Sequence, residues 1–464
     1  MSRSVRLVPA AAALLALTLT ATACKGGVHG TPGGSGVRDP YFPKAGNGGY
    51  DVGHYDLTLD YTPAGRRLTG TAVITARATQ DLSAFNLDLA GLDVDSVTVE
   101  GKKALFSRAG QELTVRPHDD LSKGETFRTT VRYSGRPRTL TDPDGSEEGW
   151  VPTGDGALGL GEPVGSMAWF PGNNHPSDKA TYDLRVTVPK GLAAVSNGEL
   201  AGQTTKGGRT TFHWHTAEPM ATYLATVAIG HYDIARSTGP HGLPILTAVD
   251  SGQAEDSKDV LKEIPGIIDW EEINFGPYPF SSTGAIVTPP SDAGYALETQ
   301  NRPVFPADQF DTETVVHELA HQWYGDSVTP KSWQDMWLNE GFATYAEWLY
   351  REDHGGKSAQ QTFMDEYNSD DEAIWAFPPA KPSSAAHISD SPVYQRGAMI
   401  LQKIRQKVGD DTFYDIIQGW AAARRHGSAN TADFTAFVEK KAPDHDFTEI
   451  WKDWLYGDGK PAHP

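Results

Sequence analysis

The chain has very few cysteines and a deficit of positive charge. Among 464 residues only Cys24 is a cysteine, so an intramolecular disulfide bond is excluded. The 40 lysines and arginines face 60 aspartates and glutamates, which gives a formal net charge of −20. Nucleic-acid binding and a polybasic membrane patch both need clustered positive charge, so the charge balance argues against both. An acidic surface can also favour cationic substrates.

What is present indicates a folded protein of more than one unit. Hydrophobic residues make up 38% and charged residues 22% of the chain, which is typical of a soluble globular protein. The length suggests two to four structural units and allows a substantial core without disulfide bonds. The sequence carries no indication of a particular oligomeric state.

The N-terminus has the organisation of an export signal. Two arginines precede an apolar stretch at about 7–19, which is too short for a membrane-spanning helix. Small residues then lead directly to Cys24, an arrangement that resembles a bacterial lipoprotein signal. We predict a signal peptide at 1–23, acylation of Cys24 at the outer face of a bacterial cell membrane, and a flexible Gly-rich tether at 24–38. The alternative is ordinary secretion, and both predictions place the mature protein outside the cytoplasm.

The rest of the chain divides into two parts with different periodicity. Between about 49 and 246, runs such as HYDLTLDY and TYDLRVTVP alternate apolar and polar residues between turns, which predicts antiparallel strands. From about 256 onward the apolar spacing is helical, and TGAIVTPP stands among the helices as a lone strand. We therefore predict an α+β multidomain protein, with an antiparallel β-rich domain at 39–248 and a mainly helical domain at 249–464.

The strongest chemical motif is HELAH at 317–321. Two histidines four residues apart lie on one face of a helix, so His317 and His321 can both reach one metal ion. The apolar residues around them predict a buried helix, in which two histidines and Glu318 would be costly unless paired or ligated. This is the HExxH zinc motif. The alternative is a surface helix whose histidines face solvent.

A catalytic zinc site needs a third protein ligand and one open position. Glu340, in the segment WLNEG, follows His321 by enough residues to lie on a second helix packed against the first. We predict one Zn²⁺ ion held by His317, His321 and Glu340, with Glu318 as the general base for the attacking water. Glu347 lies on the same helical face as Glu340 and is either a support for the metal ligands or a surface charge.

The stretch VVHELAHQWYGDSVTPKSWQDMWLNEGFATYAEW resembles the gluzincin aminopeptidases, the family of aminopeptidase N. The resemblance spans most of the chain beyond the tether. It implies a β-rich N-terminal domain followed by a thermolysin-like zinc metallopeptidase domain, and zinc aminopeptidase activity on peptides with a free N-terminus. Relatives usually continue with a β-sandwich and a large helical domain, whereas this chain stops soon after 454–458. We therefore expect a more open cleft that admits larger peptides.

The resemblance also assigns three residues outside the zinc motif. The segment GYALETQ at 294–300 occupies the place of the family's GAMEN segment, and Glu298 falls on the glutamate that holds the free amino terminus of the substrate. Tyr394 matches the tyrosine whose hydroxyl donates a hydrogen bond to the oxyanion of the tetrahedral intermediate. Glu162 falls near a residue that helps to fix the substrate amino group. The alternatives are a loop glutamate, a packing tyrosine and a turn glutamate.

The GAMEN-like segment departs from the family pattern at three positions. Tyr295 replaces a glycine, Leu297 a methionine and Thr299 an asparagine, so the first specificity pocket is not defined by the resemblance.

Three other functions stay open on the sequence alone. They are a zinc endopeptidase without amino-terminal anchoring, an epoxide hydrolase, as in one branch of the family, and a non-catalytic cell-surface peptide-binding module. The presence of ligands, base and tyrosine together argues against the last of these.

Overall fold

The computed structural model describes residues 29–464. The predicted signal peptide at 1–23 and the predicted acylation site Cys24 lie outside the described residues. In the part that is described, no helix combines the length and apolarity needed to cross a membrane. The strands that precede residue 231 are β1 Thr31–Pro32, β2 Tyr50–Thr62, β3 Arg67–Ala78, β4 Leu82–Asp88, β5 Asp93–Val99, β6 Lys102–Lys103, β7 Leu105–Ala109, β8 Glu112–Arg116, β9 Thr126–Gly135, β10 Thr139–Thr141, β11 Glu147–Pro152, β12 Ala157–Leu160, β13 Lys179–Pro189, β14 Ala193–Ser196, β15 Glu199–Lys206, β16 Arg209–Ala221 and β17 Val227–Gly230.

An eight-stranded sheet forms the main layer of the N-terminal part, in the order β15-β16-β13-β2-β3-β9-β5-β6. Its neighbours pair antiparallel except β13 and β2, which are parallel. In β2 the buried residues Tyr55, Leu57 and Leu59 alternate with more exposed ones, because successive side chains of a strand point to opposite faces. Two further sheets, β1-β4-β8-β7 and β10-β11-β12-β17-β14, complete this part. The prediction of a β-rich N-terminal domain is confirmed.

In residues 29–38, the described end of the predicted tether at 24–38, the backbone is paired with the β-rich part. Strand β1 pairs in parallel with β4, and the backbone N–H of Gly33 donates to the carbonyl of Ala84 at 2.8 Å. Glycine is needed here because two backbone segments lie very close together. A Cβ atom at Gly33 would lie 2.3 Å from the carbonyl oxygen of Gly48, a separation that only glycine allows.

Asp39 joins this N-terminal segment to both halves of the chain. Its carboxylate accepts hydrogen bonds from the Ser332 hydroxyl at 2.8 Å and from the Trp333 backbone N–H at 3.0 Å, and lies 3.4 Å from Nε2 of His175. Burial opposes ionisation, but these hydrogen bonds lower the pKa of Asp39 to about 2. The segment therefore anchors the β-rich part next to the helix that carries Glu340.

The C-terminal part is mainly helical, as predicted. Its elements are β18 Tyr232–Thr238, β19 Pro244–Asp250, α1 Ala254–Leu261, α2 Ile264–Phe275, β20 Thr283–Thr288, β21 Val304–Pro306, α3 Thr312–Ala320, β22 Thr329–Pro330, α4 Trp337–Asp353, α5 Ala359–Asn368, α6 Gly397–Val408, α7 Asp410–Arg424, β23 Ser428–Ala429 and α8 Thr431–Lys441.

A four-stranded sheet begins this part, in the order β18-β19-β20-β21. Strand β19 runs through the predicted boundary at 248, so strands from both sides of that boundary share one sheet. The TGAIVTPP segment forms β20, which lies between the parallel partners β19 and β21 and is buried throughout. The prediction of a lone strand is wrong because parallel partners lie far apart in sequence.

Helices α4 and α6 cross at very short range. A Cβ atom built on Gly341 would lie 2.9 Å from backbone atoms of Gly397, so both positions need the absence of a side chain. The crossing brings the start of α4 next to a π-helical turn at Pro392–Arg396, which leads into α6. As a result, Glu340 and Tyr394 face the same cleft.

Candidate active site

Helix α3 carries the HELAH segment and owes its start to a side-chain cap. Asp311 accepts the backbone N–H of Thr314 at 2.9 Å, which satisfies a donor that the first helical turn leaves free. The apolar residues of α3 are buried, as their pattern predicts. The polar residues between them are buried as well, since His321 is only 1% and Glu318 only 6% exposed.

Three side chains from α3, α4 and the turn between them meet at one point. The Nε2 atoms of His317 and His321 lie 3.2 and 3.3 Å from Oε2 of Glu340, and one donor atom from each residue lies within 4.8 Å of the others. Two imidazoles and a carboxylate at the wall of a cleft form the donor set of a catalytic zinc site, which keeps one position open. The structure thus brings together the three metal ligands that the sequence predicts.

The outer nitrogens of both histidines are also engaged. Nδ1 of His317 lies 2.6 Å from Oε1 of Glu347, and Nδ1 of His321 lies 3.1 Å from the carbonyl oxygen of Tyr324. A carboxylate and a carbonyl oxygen can only accept, so each Nδ1 bears the N–H, and Nε2 is the nitrogen of each ring that is left to bind a metal ion. Glu347 is therefore positioned to orient the ring of His317, one of the predicted metal ligands.

The carboxyl groups of the site have shifted pKa values and unpartnered oxygens, which fit a bound cation and a polar substrate. Burial opposes ionisation of Glu340, but the two histidines lower its pKa to about 2. Burial raises the pKa of Glu318 to about 8 although the histidines oppose this shift. Among the described residues, Oε2 of Glu318 and Oε1 of Glu298 are buried and have no hydrogen-bond partner. Such oxygens are costly without a ligand, so the residues present fit a bound zinc ion and a substrate beside it.

Two carboxylates close one end of the site. Glu162 follows β12, and its carboxylate lies within 4.8 Å of those of Glu298 and Glu340. Glu298 is held by its neighbour Leu297, which exchanges two backbone hydrogen bonds of 2.9 and 2.8 Å with Val304 at the edge of the four-stranded sheet. Burial raises the pKa of both carboxyls, and the proximity of Glu298 adds to the effect at Glu162. An ammonium group is the natural partner for such a pair.

Tyr394 lines the same cleft as these carboxylates and lies in the π-helical turn before α6. Its ring is nearly parallel to that of His317, with centroids 6.0 Å apart and an interplanar angle of 14°. Burial, reinforced by Glu340 and the other carboxylates, raises the pKa of Tyr394 well above its usual value. The hydroxyl therefore keeps its proton at neutral pH and can donate it in a hydrogen bond.

A single cleft of about 630 Å³ contains all of these groups. The predicted site residues that line it are Glu162, Glu298, His317, Glu318, His321, Glu340 and Tyr394. The cleft also extends to Asp142 and Tyr295, to which we assigned no role from sequence. For Tyr295 the sequence gives one indication of a special role, the replacement of the family glycine. Asp142 lies in a DPDGS turn, which gives no indication of a functional role.

Comparison with known proteins decides the family. The profile of the Peptidase M1 N-terminal domain matches residues 52–224, and that of the Peptidase family M1 domain matches residues 299–454. The crystal structure of the M1 zinc metallopeptidase from Deinococcus radiodurans has a TM-score of 0.85 and 30% sequence identity to this chain, and the match covers 92% of this chain and 98% of that one. The chain belongs to the M1 family of zinc metallopeptidases.

The resemblance to the aminopeptidase N family is thus confirmed at the level of the M1 family and its two-domain fold. A second Deinococcus radiodurans structure, of a variant bound to a Tyr-Ser-Ala substrate, is 29% identical with a TM-score of 0.85, and the match covers 92% of this M1 peptidase and 98% of that chain.

Longer relatives share the same region. Probable aminopeptidase 2 of Sulfurisphaera tokodaii is 29% identical over 408 residues, which is 81% of this chain and 50% of that protein. Aminopeptidase M1 of Arabidopsis thaliana is 25% identical over 460 residues, which is 88% of this chain and 50% of that protein. This M1 peptidase spans about half the length of these curated relatives.

Proposed function

We propose that this M1 peptidase is a zinc aminopeptidase that removes the first residue from peptides with a free N-terminus. The observation that carries the proposal is the position of Glu298 and Glu162. Glu298 is buried and Glu162 half-buried, and their carboxylates lie within 4.8 Å of that of a predicted metal ligand, Glu340. A peptide whose ammonium group contacts them therefore has its first peptide bond beside the metal site. Because the two carboxylates can bind only a free amino terminus of the substrate at this place, their position favours an exopeptidase over an endopeptidase.

Each residue of the site has a separate role in the proposed hydrolysis. His317, His321 and Glu340 would hold zinc, which when bound lowers the pKa of water and polarises a carbonyl group. Glu298 and Glu162 bind the substrate ammonium group and so fix which bond is cut. Glu318 takes a proton from the attacking water and delivers it to the leaving amine. Tyr394 donates its hydroxyl proton in a hydrogen bond to the oxygen of the scissile carbonyl as negative charge develops there.

Blocking the amino group tests the proposal directly. We expect kcat/KM for a short peptide to fall by at least about tenfold when its N-terminus is acetylated, because the charge-assisted hydrogen bonds to Glu298 and Glu162 are lost. The measurement compares the free and acetylated forms of one peptide by chromatography of the products, with and without a zinc chelator. The chelator should abolish hydrolysis of the free peptide. Equal cleavage of both forms would indicate an endopeptidase instead.

We also propose that the protein is exported and anchored by lipid through Cys24. The arginines, the apolar stretch at 7–19 and the position of the single cysteine support this proposal. In a bacterial host that processes lipoproteins, the wild-type protein should sediment with membranes. The Cys24→Ser variant should be recovered in the soluble extracytoplasmic fraction. Equal membrane association of both proteins would contradict acylation at Cys24.

A further inference from the structure

One wall of the cleft is an acidic turn from the β-rich domain. It connects β10 and β11 and contains Asp142 and Asp144. Asp142 is only 8% exposed, lines the cleft, and its carboxylate has no hydrogen bond or ion pair to any of residues 29–464. Asp144 is exposed and accepts hydrogen bonds from the backbone and the hydroxyl of Ser146. A buried carboxylate that faces a cavity without a partner in the protein implies a partner in the ligand.

Two contacts attach this turn to the residues that receive the substrate amino group. Oε2 of Glu148, at the start of β11, accepts the backbone N–H groups of Val164 and Gly165 at 3.0 and 2.7 Å, directly after the loop that carries Glu162. The Tyr295 hydroxyl donates to the carbonyl oxygen of Glu147 at 3.2 Å, three residues before Glu298. These contacts hold the acidic turn against the segments that carry Glu162 and Glu298, and Asp142 lines the same cleft as both carboxylates.

The charge of this wall is not compensated by the protein. No lysine or arginine of the described chain lines the cleft. Burial, with Asp144 adding to it, raises the pKa of Asp142 to about 7, and no basic group lowers it. Burial also raises the pKa of Glu148 well above its usual value, and its Oε1 has no partner among the described residues. A cation brought by the substrate would meet a carboxylate that is already largely shielded from water and opens onto the cleft.

We propose that Asp142 is a specificity-determining residue that binds a cationic side chain, arginine or lysine, at the first position of the peptide. The inference rests on the proposed aminopeptidase function and names the substrate class of that same site. A long basic side chain passes Tyr295 and ends at Asp142, with Asp144 at the mouth of the cleft. A neutral first residue leaves the Asp142 carboxylate without a partner, and this difference creates the preference.

The preference is measured with fluorogenic arginyl and citrullinyl amides, since citrulline has the shape of arginine without its charge. We expect kcat/KM for arginine to exceed that for citrulline by about tenfold or more in the wild type, the size of effect that a buried charge-assisted hydrogen bond produces. In Asp142→Asn, which preserves the shape of the side chain, this ratio should fall to about one. The control Asp95→Asn removes the same charge at an exposed position in β5 and should leave the wild-type ratio unchanged.

Equal hydrolysis of the two amides by the wild-type protein would overturn the proposal, and so would an undiminished ratio in a folded Asp142→Asn protein. The wild-type ratio needs no variant, so a folding defect in Asp142→Asn does not remove the test. Binding of free L-arginine and L-citrulline to zinc-loaded Glu318→Gln protein, measured by calorimetry, separates the two proposals. Tighter arginine binding supports the subsite even if no amide is hydrolysed, and that failure would contradict only the aminopeptidase function.

Discussion

Glu318→Gln is expected to lower kcat by about 10³-fold while zinc stays bound, since general acid–base catalysis contributes about 10²- to 10⁴-fold. Glu318 lies between the two histidines in the chain but outside the His317, His321 and Glu340 set, and its carboxylate lies within 4.8 Å of donor atoms of Glu298 and His321. Its Oε2 has no partner among the residues that the structure describes. Glutamine has the same shape and can still lie beside the attacking water. It cannot accept the proton of that water or return it to the leaving amine.

The measurement pairs kcat on an aminoacyl amide with zinc content by atomic absorption and with the thermal unfolding temperature. Zinc content near one per chain and an unchanged unfolding temperature would show that only the base has been lost. Glu255→Gln makes the same chemical change at an exposed position on α1 and should leave kcat at the wild-type value. Activity within about threefold of wild type in Glu318→Gln would refute the assignment of the general base, because the expected loss is far larger.

The metal site could be predicted because its geometry follows from local rules. The spacing of His317 and His321 places both on one face of a helix whatever the rest of the fold does. Glu340 needed one further step, a second helix packed on the first, which the length of the intervening chain allows. The helical face of Glu347 leaves both a support for the ligands and a surface charge open, and only the structure shows its contact with Nδ1 of His317 at 2.6 Å. Glu298 and Tyr394 rested on a resemblance, since no local rule joins either of them to the zinc helix.

The features that the sequence does not predict depend on contacts between residues that are far apart in the chain. The sequence predicts an isolated strand at β20 because its partners, β19 and β21, are separated from it by intervening helices and loops. The Gly-rich residues at 29–38 have the composition of a flexible linker, and only their pairing with β4 orders them. Asp142 lies in a sequence typical of an exposed turn. It is buried because Glu148 and Tyr295 hold that turn against the substrate cleft, through contacts that span up to 148 positions in the chain.

Tyr394→Phe is the second change from which we expect a large loss, about 10²- to 10³-fold in kcat, the usual effect of removing one donor to an oxyanion. Phenylalanine preserves the packing of the ring against His317, whose centroid lies 6.0 Å away, and removes only the hydroxyl. Because the donated hydrogen bond strengthens as negative charge develops on the carbonyl oxygen, the loss should appear in kcat while KM changes little.

Separate determination of kcat and KM for the Tyr394→Phe variant on one aminoacyl amide tests this division. Tyr456→Phe, at a residue that is 50% exposed near the C-terminus, provides a matched control and should leave both constants unchanged. A rise in KM with kcat preserved would mean that Tyr394 binds the ground state and not the developing oxyanion. If both constants remained at wild-type values, stabilisation of the carbonyl oxygen would rest on the metal alone. The stacking of Tyr394 on His317 would then be purely a packing contact, the alternative that the sequence left open.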